Sequence, residues 1–145
     1  MTSGIGGSTA EAELAGLGPW PNPAPPISTE ERLARIARAR KLLTDMGADA
    51  LIVGAGPSLR YFTGVAWNPT ERLVALLLTP DLPPRMICPA FELGSLKAGL
   101  AIEAEPLLWQ EHENPFALVA DHLGPARLAT DPALPFFVVD GIRKA

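Results

Sequence analysis

Two short apolar runs stand out along the chain, Leu51-Ile52-Val53 and Leu73-Val74-Ala75-Leu76-Leu77-Leu78. Neither alternates with polar residues, so each reads as a strand buried on both faces, as in a sheet covered by helices. Between them the punctuation changes. Gly54, Gly56 and Pro57 break the first strand, Ser58 to Phe62 is long enough for one short helical turn, and Gly64 can take positive φ and stop it. Trp67, a turn at Asn68-Pro69 and the pair Glu71-Arg72 follow at the mouth of the second strand. Large aromatics and a cation crowded onto one loop mark either a contact surface or an aromatic cap on the core.

Upstream, Ser28-Thr29-Glu30-Glu31 opens a helix, with Ser28 as cap and Glu31 placed to complete a capping box. Leu33, Ile36, Ala37, Leu43 and Met46 form its apolar stripe, and Gly47 ends it. Arg35, Arg38 and Lys41 fall off that stripe and read as a solvated face, with Glu31 able to pair with Arg35. Downstream the pattern predicts a strand at Arg85 to Cys88, after a Pro83-Pro84 turn, and a helix over Ala90 to Gly99. A strand within Ala104 to Trp109 follows, which Pro106 assigns to an edge or a bulge. Pro115 to Leu123 places Phe116, Val119, Ala120 and Leu123 on one helical face, and Arg127 to Thr130 suits a last strand. Pro132 to Ala145 reads as helical, against the resistance of Pro135 and Val138-Val139. The alternation predicts a three-layer α/β domain over residues 28–145, with a mixed, mostly parallel central sheet. Residues 1–27 are rich in Gly, Ser, Ala and Pro, and Pro19, Pro21, Pro23, Pro25 and Pro26 confine any helix to a turn within Glu11 to Leu17. They read as a flexible or extended arm, in which Trp20 is the residue suited to docking.

Composition narrows the class. With 145 residues, 48% of them apolar and 19% charged, the chain suits one ordinary globular domain. The net charge of −4 gives no electrostatic footprint for nucleic acid or anionic lipid. Cys88 is the single cysteine, which excludes an internal disulfide and a cysteine-based zinc site and fits a reducing cytoplasm. No basic region followed by an apolar core opens the sequence, and no run reaches the ~18 apolar residues of a membrane span. The expectation is a soluble cytoplasmic protein.

Three stretches invite chemistry, and each falls short. Gly54-Ala55-Gly56-Pro57-Ser58 follows a strand as a dinucleotide fingerprint does, but Leu59 stands where the last glycine belongs and Pro57 removes a backbone donor. Glu111-His112-Glu113 has metal-ligand residue types, yet neighbours on an extended loop point to different sides, and His122 lies inside a separate helix. Cys88 has no nearby base in sequence and reads as a buried structural thiol. No Ser-His-Asp arrangement or paired carboxylates emerge. The residues by themselves point to no catalytic group, no metal and no cofactor.

The order of motifs nevertheless resembles a known family. A basic amphipathic helix ends in Met46-Gly47-Ala48-Asp49-Ala50-Leu51-Ile52-Val53, Leu59-Arg60-Tyr61-Phe62-Thr63-Gly64 follows, and Arg72 precedes an apolar strand. A Pro89-Ala90-Phe91-Glu92 turn and a helix opened by Glu113-Asn114-Pro115-Phe116 complete the set. From Ser28 to Ala145 the chain resembles the N-terminal domain of the creatinase, prolidase and aminopeptidase P family, in particular its Xaa-Pro dipeptidases. The resemblance implies a mixed α/β fold with a ribonuclease H-like motif. It also implies that the pita-bread catalytic domain, with its two metal ions and its cleavage of bonds preceding proline, is not among these residues. Fold likeness does not bring catalysis with it.

On that resemblance the expected role is non-catalytic: dimer assembly, or service to a full-length peptidase, while covering the partner's active site. Arg72 is then expected to reach the carboxylate of a proline-containing peptide in trans, with Trp67 as an apolar wall and Tyr61, Phe62 and Gly64 shaping the interface loop. Glu71 points away from Arg72 if the strand has begun there, the alternative being an ordinary surface ion pair of Arg72 with Glu71 or another carboxylate. Trp67 and part of the helix after Pro115 are expected to be unusually exposed. Two other classes stay open, a free-standing regulatory domain and a small-molecule-binding domain using the Gly54 to Trp67 region.

Overall fold

Ser28 caps the longest helix of the molecule. The computed structural model describes residues 6–145, and residues 1–5 of the expected arm lie outside the described residues. A short helix α1 (Ala10–Ala15) is followed by exposed, irregular chain and then by α2 (Thr29–Met46). The Ser28 hydroxyl accepts from the Glu31 amide at 3.2 Å, and Gly47, at φ 64°, turns the chain out of α2. The Glu31 carboxylate is turned along the helix to Arg35. The apolar stripe is narrower than the sequence implies. Ile36 and Leu43 are buried, but Leu33 and Met46 are exposed, and the remaining buried positions are Arg32 and Arg35. Arg35 is therefore not on the solvated face that its charge predicts.

Five strands form one sheet: β1 (Ala50–Gly54), β2 (Ala75–Leu78), β3 (Arg85–Pro89), β4 (Glu105–Trp109) and β5 (Leu128–Thr130), in the order β4-β3-β2-β1-β5. The sheet is mixed, as expected, but its pairings divide evenly. β2 runs antiparallel to both β1 and β3, while β1 pairs β5 and β3 pairs β4 in parallel. The cause is local. Gly54 at the end of β1 lies opposite Ala75 at the start of β2, and a short turn joins β2 to β3, so neither connection crosses back over the sheet. Pro106 sits on the edge strand β4, where its missing donor breaks no second ladder.

Burial on both faces explains the continuous apolar runs. On one face Val53, Leu76, Leu78, Met86 and Cys88 pack with Ile36 of α2, Leu59 of α3 (Pro57–Thr63) and Leu96 of α4 (Leu93–Gly99). On the other, Ala50, Ile52, Ala75, Leu77 and Ile87 pack with Val119 of α5 (Pro115–Leu123) and Val138 of α6 (Phe136–Lys144). The molecule is the predicted three-layer α/β arrangement. Pro135 does not obstruct α6 because it stands at the N-cap, outside the helical hydrogen-bond ladder.

The short helix α3 cannot satisfy its own carbonyl end, and three devices supply donors to the Arg60, Tyr61 and Thr63 carbonyls. Gly64, at φ 89°, returns its amide to the Arg60 carbonyl. The Ala101 amide reaches the Thr63 carbonyl at 2.8 Å. Arg32 Nη1 donates to the Arg60 and Tyr61 carbonyls at 2.6 and 3.1 Å, and Arg35 Nη1 donates to Tyr61 at 2.7 Å. A Cβ on Gly64 would stand 2.8 Å from that of Ala101, so positive φ and close approach both require glycine.

These contacts separate neighbours in sequence. Arg32→Ala removes a buried stem and two charge-assisted bonds and should destabilise the chain by about 1–3 kcal/mol, whereas the exposed Leu33→Ala should stay within ~0.5 kcal/mol. Urea unfolding of both variants checks this, and equal losses would contradict it.

Candidate functional site

α2, α3 and the loop that leaves α3 enclose a groove of about 830 Å³. Its charged lining is Arg32, Arg35 and Arg60, and its aromatic lining is Tyr61 and Trp67. Gly56-Pro57, Asn68-Pro69 and the end of the arm at Pro26-Ile27 close the rim. Tyr61 is held between partners: the Arg35 guanidinium lies 4.0 Å over its ring, and Phe62 meets it edge-on at 5.0 Å. Thr63 is buried because its hydroxyl donates to the Leu59 carbonyl and accepts the Val65 amide. Tyr61-Phe62-Thr63-Gly64 is thus a turn whose four residues each have a structural task. Trp67 is half-buried against the α2–α3 face of the core, so it is not the exposed aromatic that the sequence suggests.

Arg72 stands at a second recess, a narrow cleft beside Leu73, Leu134 and Phe137. Its guanidinium forks onto Glu111, with Nε at 2.8 Å from Oε1 and Nη2 at 3.2 Å from Oε2. Nη1 contacts Glu71 Oε1 at 2.8 Å, so Glu71 does not point away. The reason is that β2 begins only at Ala75, and strand alternation does not govern residues 71 and 72. Glu111, chiefly by its hydrogen bond, holds the Arg72 guanidinium above its ordinary pKa, and Arg72 holds the Glu111 carboxyl below the usual carboxylate range. The ring over Arg72 is Phe91, 5.7 Å from the guanidinium carbon, while Trp67 lines the other groove.

Two exposed aromatics flank this second place, Phe91 over Arg72 and Phe137 in the cleft, and Phe136 precedes Phe137 at the start of α6. Phe91, Phe136 and Phe137 are 62%, 79% and 49% exposed, whereas Phe116 is half-buried and Val119 fully buried. The helix after Pro115 is therefore not the uncovered surface; its neighbour α6 is. Sequence reasoning passed over Arg32 and the partner role of Glu111, and took Phe91 only as part of a turn motif. The Arg32 signal was available, since helical spacing carried back from Leu43 through Ile36 lands on residue 32.

Among the described residues no three of His, Cys, Asp and Glu gather where they could hold a metal ion. Glu113 accepts the Gln110 amide at 2.6 Å while Glu111 turns to Arg72, so the Glu-His-Glu stretch is divided between two tasks. No helix of the described residues is long and apolar enough to cross a membrane. Cys88 is buried in the sheet, and desolvation, with Glu92 adding repulsion, pushes its thiol up to about 11.

Residues 35–145 match the family described as Creatinase/Prolidase N-terminal domain. An uncharacterized peptidase of Schizosaccharomyces pombe is 30% identical over 88% of this chain, which covers 31% of that protein. A probable dipeptidase PepE of Mycobacterium tuberculosis is 34% identical over 66% of the chain and is covered to 26%. The chain thus spans about a third or less of the length of these relatives. Among solved structures, the dipeptidase PepE of Mycobacterium ulcerans superposes with a TM-score of 0.66 at 29% identity, covering 79% of this chain and 33% of that one. The N-terminal domain of the Xaa-Pro dipeptidase of Lactobacillus brevis does so with 0.69 at 22% identity, over 76% of this chain and 86% of that one, and there the likeness is of fold.

Two titrations follow. Arg72→Ala should return the Glu111 carboxyl upward to its ordinary range, read by carbon-13 carboxyl shifts; an unmoved Glu111 would mean that the pair does not form in solution. Because the folded value is depressed, the pair's contribution is present above that ordinary range and lost as pH falls through the folded value. Cys88 has the opposite sign. Keeping the thiol neutral and buried favours the fold below pH 9.0, and this is lost between 9.0 and about 11. The stability difference between the chain and Cys88→Ala should shrink over that window, and a constant difference would overturn the assignment.

Proposed function

The chain belongs to the creatinase/prolidase N-terminal domain family, and on that premise we propose that it is the non-catalytic N-terminal part of an Xaa-Pro dipeptidase or aminopeptidase. It assembles as a dimer or with a full-length peptidase in the cytoplasm and covers the partner's active site, and the two-metal centre belongs to the catalytic domain. The observation that carries this reading is the Arg72 recess. An arginine at the sheet's end, beneath the exposed Phe91 and beside the exposed Phe137, is a surface of the kind that protein interfaces bury: aromatic, apolar and centred on a cation.

The same recess supplies the substrate contact. A dipeptide ending in proline has a free carboxylate, which a guanidinium fork binds through two parallel hydrogen bonds. Glu111 already engages Arg72 in that fork, so an incoming carboxylate has to replace a solvent-exposed ion pair and not a buried one. Exposed pairs are weak, and docking against a partner desolvates what replaces them. The wall next to Arg72 is Phe91, and Trp67 lines the other groove.

Two measurements test the proposal. Alone, the chain should not hydrolyse X-Pro dipeptides with added manganese, cobalt or zinc, and should associate with rising concentration in a way that Phe136→Asp suppresses; sedimentation of a strict monomer would count against the assembly role. In an enzyme carrying this domain, Arg72→Ala should raise KM for a dipeptide by about tenfold or more. Unchanged KM and kcat would leave Arg72 as an ordinary surface ion pair.

A further inference from the structure

We propose that the groove between α2, α3 and residues 65–69 is a binding site for a small carboxylate carried on a flat apolar body, a site separate from the Arg72 recess. The first argument is charge. Arg32, Arg35 and Arg60 line the groove and none of its lining residues is acidic. Glu31 pairs with Arg35, leaving Arg32 and Arg60 without a carboxylate partner among the described residues. Arg32 is only 8% exposed. Its acceptors are two neutral backbone carbonyls, and its Nε, sealed from solvent, has no hydrogen-bond partner. A guanidinium largely withdrawn from water and met only by dipoles carries a positive charge that no carboxylate cancels, and its field acts through a medium of lower dielectric than water.

The second argument is shape. The groove's volume, about 830 Å³, lies within the range of small-molecule sites. Trp67, with Pro57 and Pro69, supplies flat apolar walls, while Arg35 and Phe62 hold the Tyr61 ring in place. The lining therefore offers a preorganised aromatic surface and, at the rim, the exposed Arg60 guanidinium, free to fork onto two carboxylate oxygens. Arg60 makes the direct contact and Arg32 supplies the potential beneath it. The turn residues keep both in place, because the Arg60 carbonyl is the one that Arg32 and the Gly64 amide share.

The test titrates 3-phenylpropionate into the 145-residue chain carrying Trp20→Phe, which leaves Trp67 and the buried Trp109 as reporters. Indole fluorescence and the arginine Nε–H resonances should respond saturably, with Arg32, Arg60 and Trp67 moving together. The neutral isostere 3-phenylpropionamide should bind about tenfold more weakly or worse, and Arg60→Met, at an exposed position where the fold is not at stake, should cost a similar factor. Ala66→Trp, which fills the groove from an exposed position, should abolish the response. Equal affinity for acid and amide, tighter binding of phenyl phosphate, or no saturable change at all would each overturn the proposal.

Discussion

The carbonyl end of α3 is the constraint on which the rest of the molecule turns. A helix of seven residues leaves its last carbonyls without intrahelical donors, and those of Arg60, Tyr61 and Thr63 are met from elsewhere in the chain. The chain supplies those donors from three distant places: Gly64 beside it, Ala101 after α4, and the first turns of α2 through Arg32 and Arg35. Meeting that requirement locks α2 across α3 and fixes the exit of the chain at residue 65. It thereby decides where β2 begins and where Arg72 stands. Two arginines are buried as a result. Their charges are favourable there because cations at a helix C-terminus complement its dipole.

The same solution leaves a surplus. Arg35 is neutralised by Glu31, lies over the Tyr61 ring and donates to the Tyr61 carbonyl. Arg32 is not, since the backbone carbonyls that its Nη1 meets do not cancel its charge and its Nε has no partner. A positive, partly dry wall next to Trp67 follows from how the turn is built, before any ligand is considered. Structure and binding capacity are here one arrangement seen from its two sides, the packed one and the open one.

Which parts of this could be read from the sequence depends on the range of the interaction. β1 and β2 were legible because burial on two faces demands apolar residues at successive positions. The ends of α2, the edge placement of Pro106 and the start of α5 were legible because caps and prolines act locally. The direction of β2 was not, because it depends on which end of β1 the chain returns to. Arg32 was hidden by the convention that an arginine marks the polar face of a helix. Its long stem packs as an apolar residue does, and only the position of α3 shows where its head finds acceptors. The Arg72–Glu111 pair joins residues 39 apart and was out of reach for the same reason.

The two cation sites differ in a way that bears on their uses. At Arg72 one cation faces two carboxylates, Glu111 and Glu71, on an exposed surface, so the site has no surplus positive charge at rest and gains strength only when a partner excludes water from it. At Arg32 the protein itself has excluded the water, and the charge is unmatched before anything arrives. The first arrangement suits a contact that should form only on assembly, when the exposed Phe91 and Phe137 are covered. The second suits a ligand that the isolated chain binds on its own. A single domain can carry both without interference, because the loop from Val65 to Thr70 separates them and only Pro69 touches the two recesses.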